Sequence, residues 1–128
     1  MPIEGEADLV EARRAGRELA EAAGITGAGV ALVATAITEV ATNILRYAER
    51  GALELRVVHR EGRCGLEVTA RDQGPGIDDL ERALEDGFST GQGLGLGLPG
   101  ARRLMDEFDI QSGPLGTVVT MTKWARGA

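Results

Sequence analysis

The chain is almost without lysine: Lys123 is the only one in 128 residues, and no basic run occurs anywhere. With a net charge of -6 it lacks the electrostatic footprint of a nucleic-acid binder, so nucleic acid is not an expected partner. Cysteine is equally scarce. Cys64 alone permits neither an internal disulfide nor a cysteine-rich zinc site and reads as a small residue packed near a strand; the single His59 adds no metal cluster. No apolar run suggests a membrane span, and the N-terminus lacks the charged-then-apolar order of a signal peptide. The expectation is a soluble, cytoplasmic protein of bacterial type with no membrane partner. Neither an internal repeat nor a break in composition divides the chain, which predicts one domain over residues 1–128, large enough to bury about two-thirds of the surface its unfolded chain exposes.

What the chain does have is glycine, in two clusters: Asp72-Gln-Gly74-Pro-Gly76, and Gly91-Gln-Gly93-Leu-Gly95-Leu-Gly97-Leu98. Without a Cβ, glycine lets main chain come close to a ligand, and a run of glycines can aim several N–H groups at an anion. Either cluster alone could be a turn. Together they frame a site, because an acidic residue leads the first and the second runs into a helical pattern, Leu98, Ala101, Leu104, Met105 and Phe108, whose N-terminal N–H groups attract phosphate. The polar stretch between them, about 77–91, is long for a loop in a small domain and reads as a lid. A nucleoside triphosphate is the expected ligand.

Elsewhere the periodicities are conventional. Asp8 can cap a helix with apolar positions Leu9, Ala12, Gly16, Leu19, Ala20 and Ala23, ending at Gly24, with Arg13, Arg14 and Arg17 facing water. A longer helix follows, with the stripe Val30, Val33, Ile37, Ala41, Ile44 and Ala48 and an end at Gly51. At 100° per residue, Thr35, Glu39, Thr42, Asn43 and Arg46 fall together opposite that stripe. Leu53 to Val57 and Leu66 to Ala70 alternate as a hairpin around Glu61-Gly62-Arg63 that delivers Asp72 at a strand end. Ile110 to Ser112 and Thr117 to Trp124 form a second strand pair around Gly113-Pro114-Leu115-Gly116. Helices segregated from a mainly antiparallel mixed sheet, covering one of its faces, give an α+β fold, a two-layer α/β sandwich.

Two common phosphate sites do not fit. A P-loop needs a lysine beside its last glycine, and Lys123 lies far past every glycine cluster; the same fact disfavours a eukaryotic-type protein kinase. Gly95-Leu-Gly97-Leu-Pro-Gly100 matches the dinucleotide fingerprint literally, but the polar residues before it are not a strand and the order of elements is not βαβ.

The ordered set Glu39-x-x-x-Asn43, Asp72-x-Gly74-x-Gly76 and Gly91-x-Gly93-x-Gly95-x-Gly97 resembles the GHKL (Bergerat-fold) ATPases over most of the chain. Within them, Thr35-Ala-Ile-Thr-Glu39, Asp72-Gln-Gly-Pro-Gly76, Glu85-Asp-Gly-Phe-Ser-Thr90 and Leu98-Pro-Gly-Ala-Arg-Arg-Leu-Met-Asp-Glu-Phe108 are similar to the RsbT-type serine/threonine kinases of the anti-sigma regulatory factor family. The resemblance implies that Glu39 orients or deprotonates the attacking hydroxyl, that Asn43 binds Mg²⁺, and that Asp72 reads the adenine amino group. It further implies that Gly74, Gly76, Gly91, Gly93, Gly95, Gly97 and Leu98 hold ATP and that Thr117 lies near adenine. These roles are chemically sound: a carboxylate accepts from an amino group but repels the carbonyl oxygen guanine carries there, and an amide oxygen is a hard ligand suited to Mg²⁺. One residue departs from the pattern. Such kinases often carry arginine where this chain has Thr42, and Arg46, one turn on, is the candidate replacement for steadying the phosphoryl group. The implied partners are a STAS-domain substrate of RsbS/RsbR type and a PP2C-type phosphatase. The alternative is an anti-sigma factor or a non-catalytic ATP-binding module.

Overall fold

The computed structural model describes residues 1–74 and 97–126. Among these residues five strands, β1 (Pro2–Ile3), β2 (Gly51–Arg60), β3 (Arg63–Asp72), β4 (Glu107–Gly113) and β5 (Gly116–Trp124), form a sheet in the order β1-β2-β3-β5-β4. Every pairing among the described residues is antiparallel. Among the described residues three helices, α1 (Glu6–Ala22), α2 (Ala28–Tyr47) and α3 (Gly97–Leu104), accompany the sheet in an α+β architecture.

Strand alternation builds the layers. Leu53, Leu66, Val68, Ala70, Val119 and Met121 point to one face, where they are buried against Val33, Ile37, Val40, Ala41 and Ile44 of α2. The other face carries charge, paired across strands as Arg56–Glu67 at 2.9 Å and Arg60–Glu107 at 2.7 Å. The β2–β3 hairpin turns on two residues, Glu61 and Gly62, both with positive φ (53° and 78°), a combination that matches the twist of the flanking strands.

Several expectations need correction. Asp8 caps α1 from inside the helix, not as its N-cap residue, which is Gly5. It is the third residue, in the first turn, where its Oδ2 accepts from the N–H groups of Glu4 (2.9 Å) and Gly5 (3.2 Å), and the helix begins at Glu6. Arg13 is half-buried and donates to Thr38 Oγ1 of α2 at 3.5 Å, whereas Arg14 and Arg17 are exposed. Gly51 opens β2 instead of closing α2; Ala48 is the C-cap, and Glu49 takes the left-handed turn with φ 68°. The helix starting near Leu98 stops at Leu104, and Phe108 lies in β4. The Asp106 N–H donates to Thr122 O (2.9 Å) and its Oδ2 accepts from the Trp124 N–H (2.7 Å), so pairing with β5 begins there and ends the helix. α2 is also long and apolar enough, by length and composition, to cross a membrane. Its buried residues Val33, Ile37, Val40 and Ile44 belong to the core between helices and sheet.

Candidate functional site

The strand register lines up one polar row on the helix-facing side of the sheet: Gly51 of β2, Asp72 of β3, Thr117 of β5 and Ser112 of β4 are successive cross-strand partners. The next row inward, Leu53, Ala70, Val119 and Ile110, is wholly apolar. The polar row therefore sits where the core ends.

Asp72 is its centre. Oδ1 accepts from the Gly74 N–H at 3.0 Å and from the Thr117 N–H at 3.2 Å, which fixes the carboxylate while no hydrogen bond to Oδ2 forms among the described residues. Two glycines make the approach possible. Gly116 has φ +140°, and a Cβ there would come within 2.1 Å of the Asp72 carbonyl oxygen; Gly74 lies against the end of α2, where a Cβ would come within 2.7 Å of the Ala48 Cβ. Thr117 is buried at 4% exposure, and its hydroxyl lies 2.7 Å from that of Ser112.

The Gly74–Ala48 contact ties this end of the sheet to α2. Asn43 precedes Ala48 by five residues and Glu39 by nine, so they lie about 7.5 Å and 13.5 Å back along the axis. Thr35, Glu39, Thr42 and Asn43 are half-buried and Arg46 is exposed, as expected for the helix side turned away from the core. Among the described residues no hydrogen bond engages the Asn43 amide, nor do three His, Cys, Asp or Glu side chains cluster as a metal site. Mg²⁺ keeps several waters and takes few protein ligands beside phosphate oxygens, so a lone amide oxygen such as that of Asn43 fits it.

α3 packs against α2 and begins at Gly97. Leu98 is 3% exposed and belongs to the core, which leaves its backbone N–H in the first turn as the group that can face a phosphate. Gly76, Gly91, Gly93, Gly95 and the stretch 77–91 lie outside the described residues. Lys123, which disqualified a P-loop, donates to Leu104 O at 2.9 Å and closes the C-terminal end of α3.

Sequence reasoning missed Ser112, Gly116 and Gly51 as parts of this arrangement. The signal was present: Ser112 and Thr117 are symmetric about the Pro114-Leu115 turn, and strand parity places both on the Asp72 side.

Residues 4–123 match the family described as the histidine kinase-like ATPase domain. The serine/threonine-protein kinase RsbT of Bacillus subtilis strain 168 is 47% identical over 120 residues, 93% of this chain and 90% of that protein. An anti-sigma F factor of Caldanaerobacter subterraneus subsp. tengcongensis is 32% identical over 102 residues, covering 74% of this chain and 70% of its own length. Among solved structures, the mycobacterial sensor histidine kinase MprB is similar with a TM-score of 0.60, spanning 100% of this chain and 99% of that one at 19% identity, a likeness of fold.

Proposed function

The chain belongs to the histidine kinase-like ATPase family, and we propose that it is an RsbT-type serine/threonine kinase that moves the γ-phosphate of ATP onto a hydroxyl of a STAS-domain protein. The observation that carries this reading is the order of groups leading away from the Gly74–Ala48 contact: Asp72, then Asn43, then Glu39. ATP laid along that line meets an acceptor for its amino group, an oxygen ligand beside its phosphates, and a carboxylate where the γ-phosphate and the acceptor hydroxyl meet.

The chemistry asked of each residue is modest. Asp72 accepts from the adenine amino group and rejects the guanine carbonyl. Asn43 would hold Mg²⁺, whose charge neutralises the phosphate oxygens during transfer. Glu39 orients the serine or threonine hydroxyl and takes its proton as the oxygen bonds to the γ-phosphorus and the bond to the β-phosphate oxygen breaks, releasing ADP. Gly74, Gly76, the Gly91–Gly97 cluster and the backbone at Leu98 are the groups assigned to hold the nucleotide, with Thr117 beside the base. Arg46 supplies the cation where Thr42 cannot.

The protein is read as cytoplasmic, as a partner-switching regulator of bacterial stress signalling that acts on an RsbS/RsbR-like scaffold and then on a PP2C-type phosphatase. The relatives named anti-sigma F factor favour a second reading, in which a sigma factor is the protein partner. Transfer of labelled phosphate from Mg-ATP to a purified STAS protein, followed by phosphoamino-acid analysis, separates the two. Label on serine or threonine supports the kinase; binding without transfer supports the second reading.

A further inference from the structure

Ser112 has no part in the phosphoryl-transfer scheme, yet it ends the polar row on which the base pocket rests. Its Oγ lies 2.7 Å from Thr117 Oγ1, and the Thr117 N–H donates to Asp72 Oδ1 at 3.2 Å. We propose that Ser112 is a positioning residue for purine selection, setting whether the Thr117 hydroxyl offers the base a proton or a lone pair. The inference rests on the reading of Asp72 as the adenine acceptor.

Thr117 is β-branched, in a strand and buried, so its Oγ1 is fixed in place and the main freedom left is the direction of its hydrogen. Two hydroxyls 2.7 Å apart share one proton between them. If Thr117 donated to Ser112, both Thr117 and Asp72 would turn only acceptors towards the base. The adenine edge carries an amino donor beside a ring-nitrogen acceptor, so an acceptor pair suits it poorly. If Ser112 donates instead, one Thr117 lone pair is used and its own proton is directed outward. The pocket then presents an acceptor at Asp72 and a donor at Thr117, the complement of adenine. Guanine has the reverse order, a carbonyl acceptor beside a ring N–H donor, and meets a mismatch at both positions. Without Ser112 the Thr117 hydrogen rotates freely and adapts to either purine.

The test is calorimetric affinity for ATP and GTP on wild type, Ser112→Ala, Ser112→Thr and Asp72→Asn, with KM and kcat for the first three. Ser112→Ala is expected to lower the ATP-over-GTP preference by about tenfold, the worth of one oriented hydrogen bond. The loss of preference comes mainly from tighter GTP binding, since the freed hydroxyl still serves adenine, and kcat at saturating ATP holds because the change lies at the base end. Ser112→Thr, which keeps the hydroxyl, retains the preference. A Ser112→Ala protein that loses affinity for both nucleotides equally, or keeps the wild-type ratio, overturns the proposal. If Asp72→Asn loses ATP affinity while Ser112→Ala keeps the ratio, only the role of Ser112 is lost. If Asp72→Asn binds ATP as wild type does, the adenine reading fails and takes this inference with it.

Discussion

Asp72 holds two backbone N–H groups with one oxygen, and that single geometry decides how substitutions around it behave. Asp72→Asn replaces part of an acceptor-only group with a donor and would remove the charged hydrogen bond proposed to the base, of about 1.5–3 kcal/mol. ATP affinity measured by calorimetry is expected to fall roughly ten- to a hundredfold. Gly116→Ala attacks the same geometry from the backbone. A Cβ at φ +140° is strained, and here it also collides with the Asp72 carbonyl, so a stability loss of at least about 1–3 kcal/mol in urea unfolding is expected, with weaker ATP binding. Asp72 was legible in the sequence because an acidic residue leading glycines at a strand end is unusual. Gly116 read only as a turn residue, since its real constraint comes from a strand more than forty residues away.

The element that organises the site is α2, which carries core on one side and Asn43 and Glu39 on the other. Its stripe was legible because a 20-residue helix gives the 3.6-residue period room to repeat. α3 was overextended for the converse reason: Leu104 and Phe108 keep helical spacing, but the contacts of Asp106 with β5 end the helix, a tertiary pairing that no local period encodes. At this scale the lone lysine can be tested. Lys123→Met removes the donor to Leu104 O and leaves that carbonyl without its ammonium partner, which should cost about 1.5–3 kcal/mol in urea unfolding. ATP affinity per folded molecule should stay at the wild-type value, since no phosphate contact is lost. A selective loss of ATP binding with unchanged stability would return Lys123 to the nucleotide site.

Over the whole molecule the two ends of the sheet do different work. One end carries the polar row; towards the other, the guanidinium groups of Arg60 and Arg63 lie over the Trp124 ring at 4.7 and 4.4 Å, and the Trp124 indole N–H donates to Glu107 at 2.8 Å. Arg60 first, then that indole N–H, hold the Glu107 carboxyl below its ordinary value near 4.5. A lowered folded value means that the contribution to stability is complete above about pH 4.5 and is lost as pH falls through the depressed value. The group is solvent-exposed, so the contribution is small. Trp124 is the only tryptophan, and its emission should change below pH 4.5 in wild type but not in Glu107→Gln. The two-layer fold was legible from alternating strands and two striped helices, whereas β1 was too short to leave a pattern. The site was legible as a set of motifs, but their order along α2 needed the Gly74–Ala48 contact, which joins residues distant in sequence. That order is the central claim, and the most direct measurement is Mg-ATP affinity alongside labelled-phosphate transfer to a STAS partner for Glu39→Ala and Asn43→Ala. Glu39→Ala is expected to bind Mg-ATP normally and to lose transfer by at least about 10²-fold, while Asn43→Ala loses Mg-ATP binding itself. Normal transfer by Glu39→Ala, or Mg-ATP binding by Asn43→Ala equal to wild type, would contradict it.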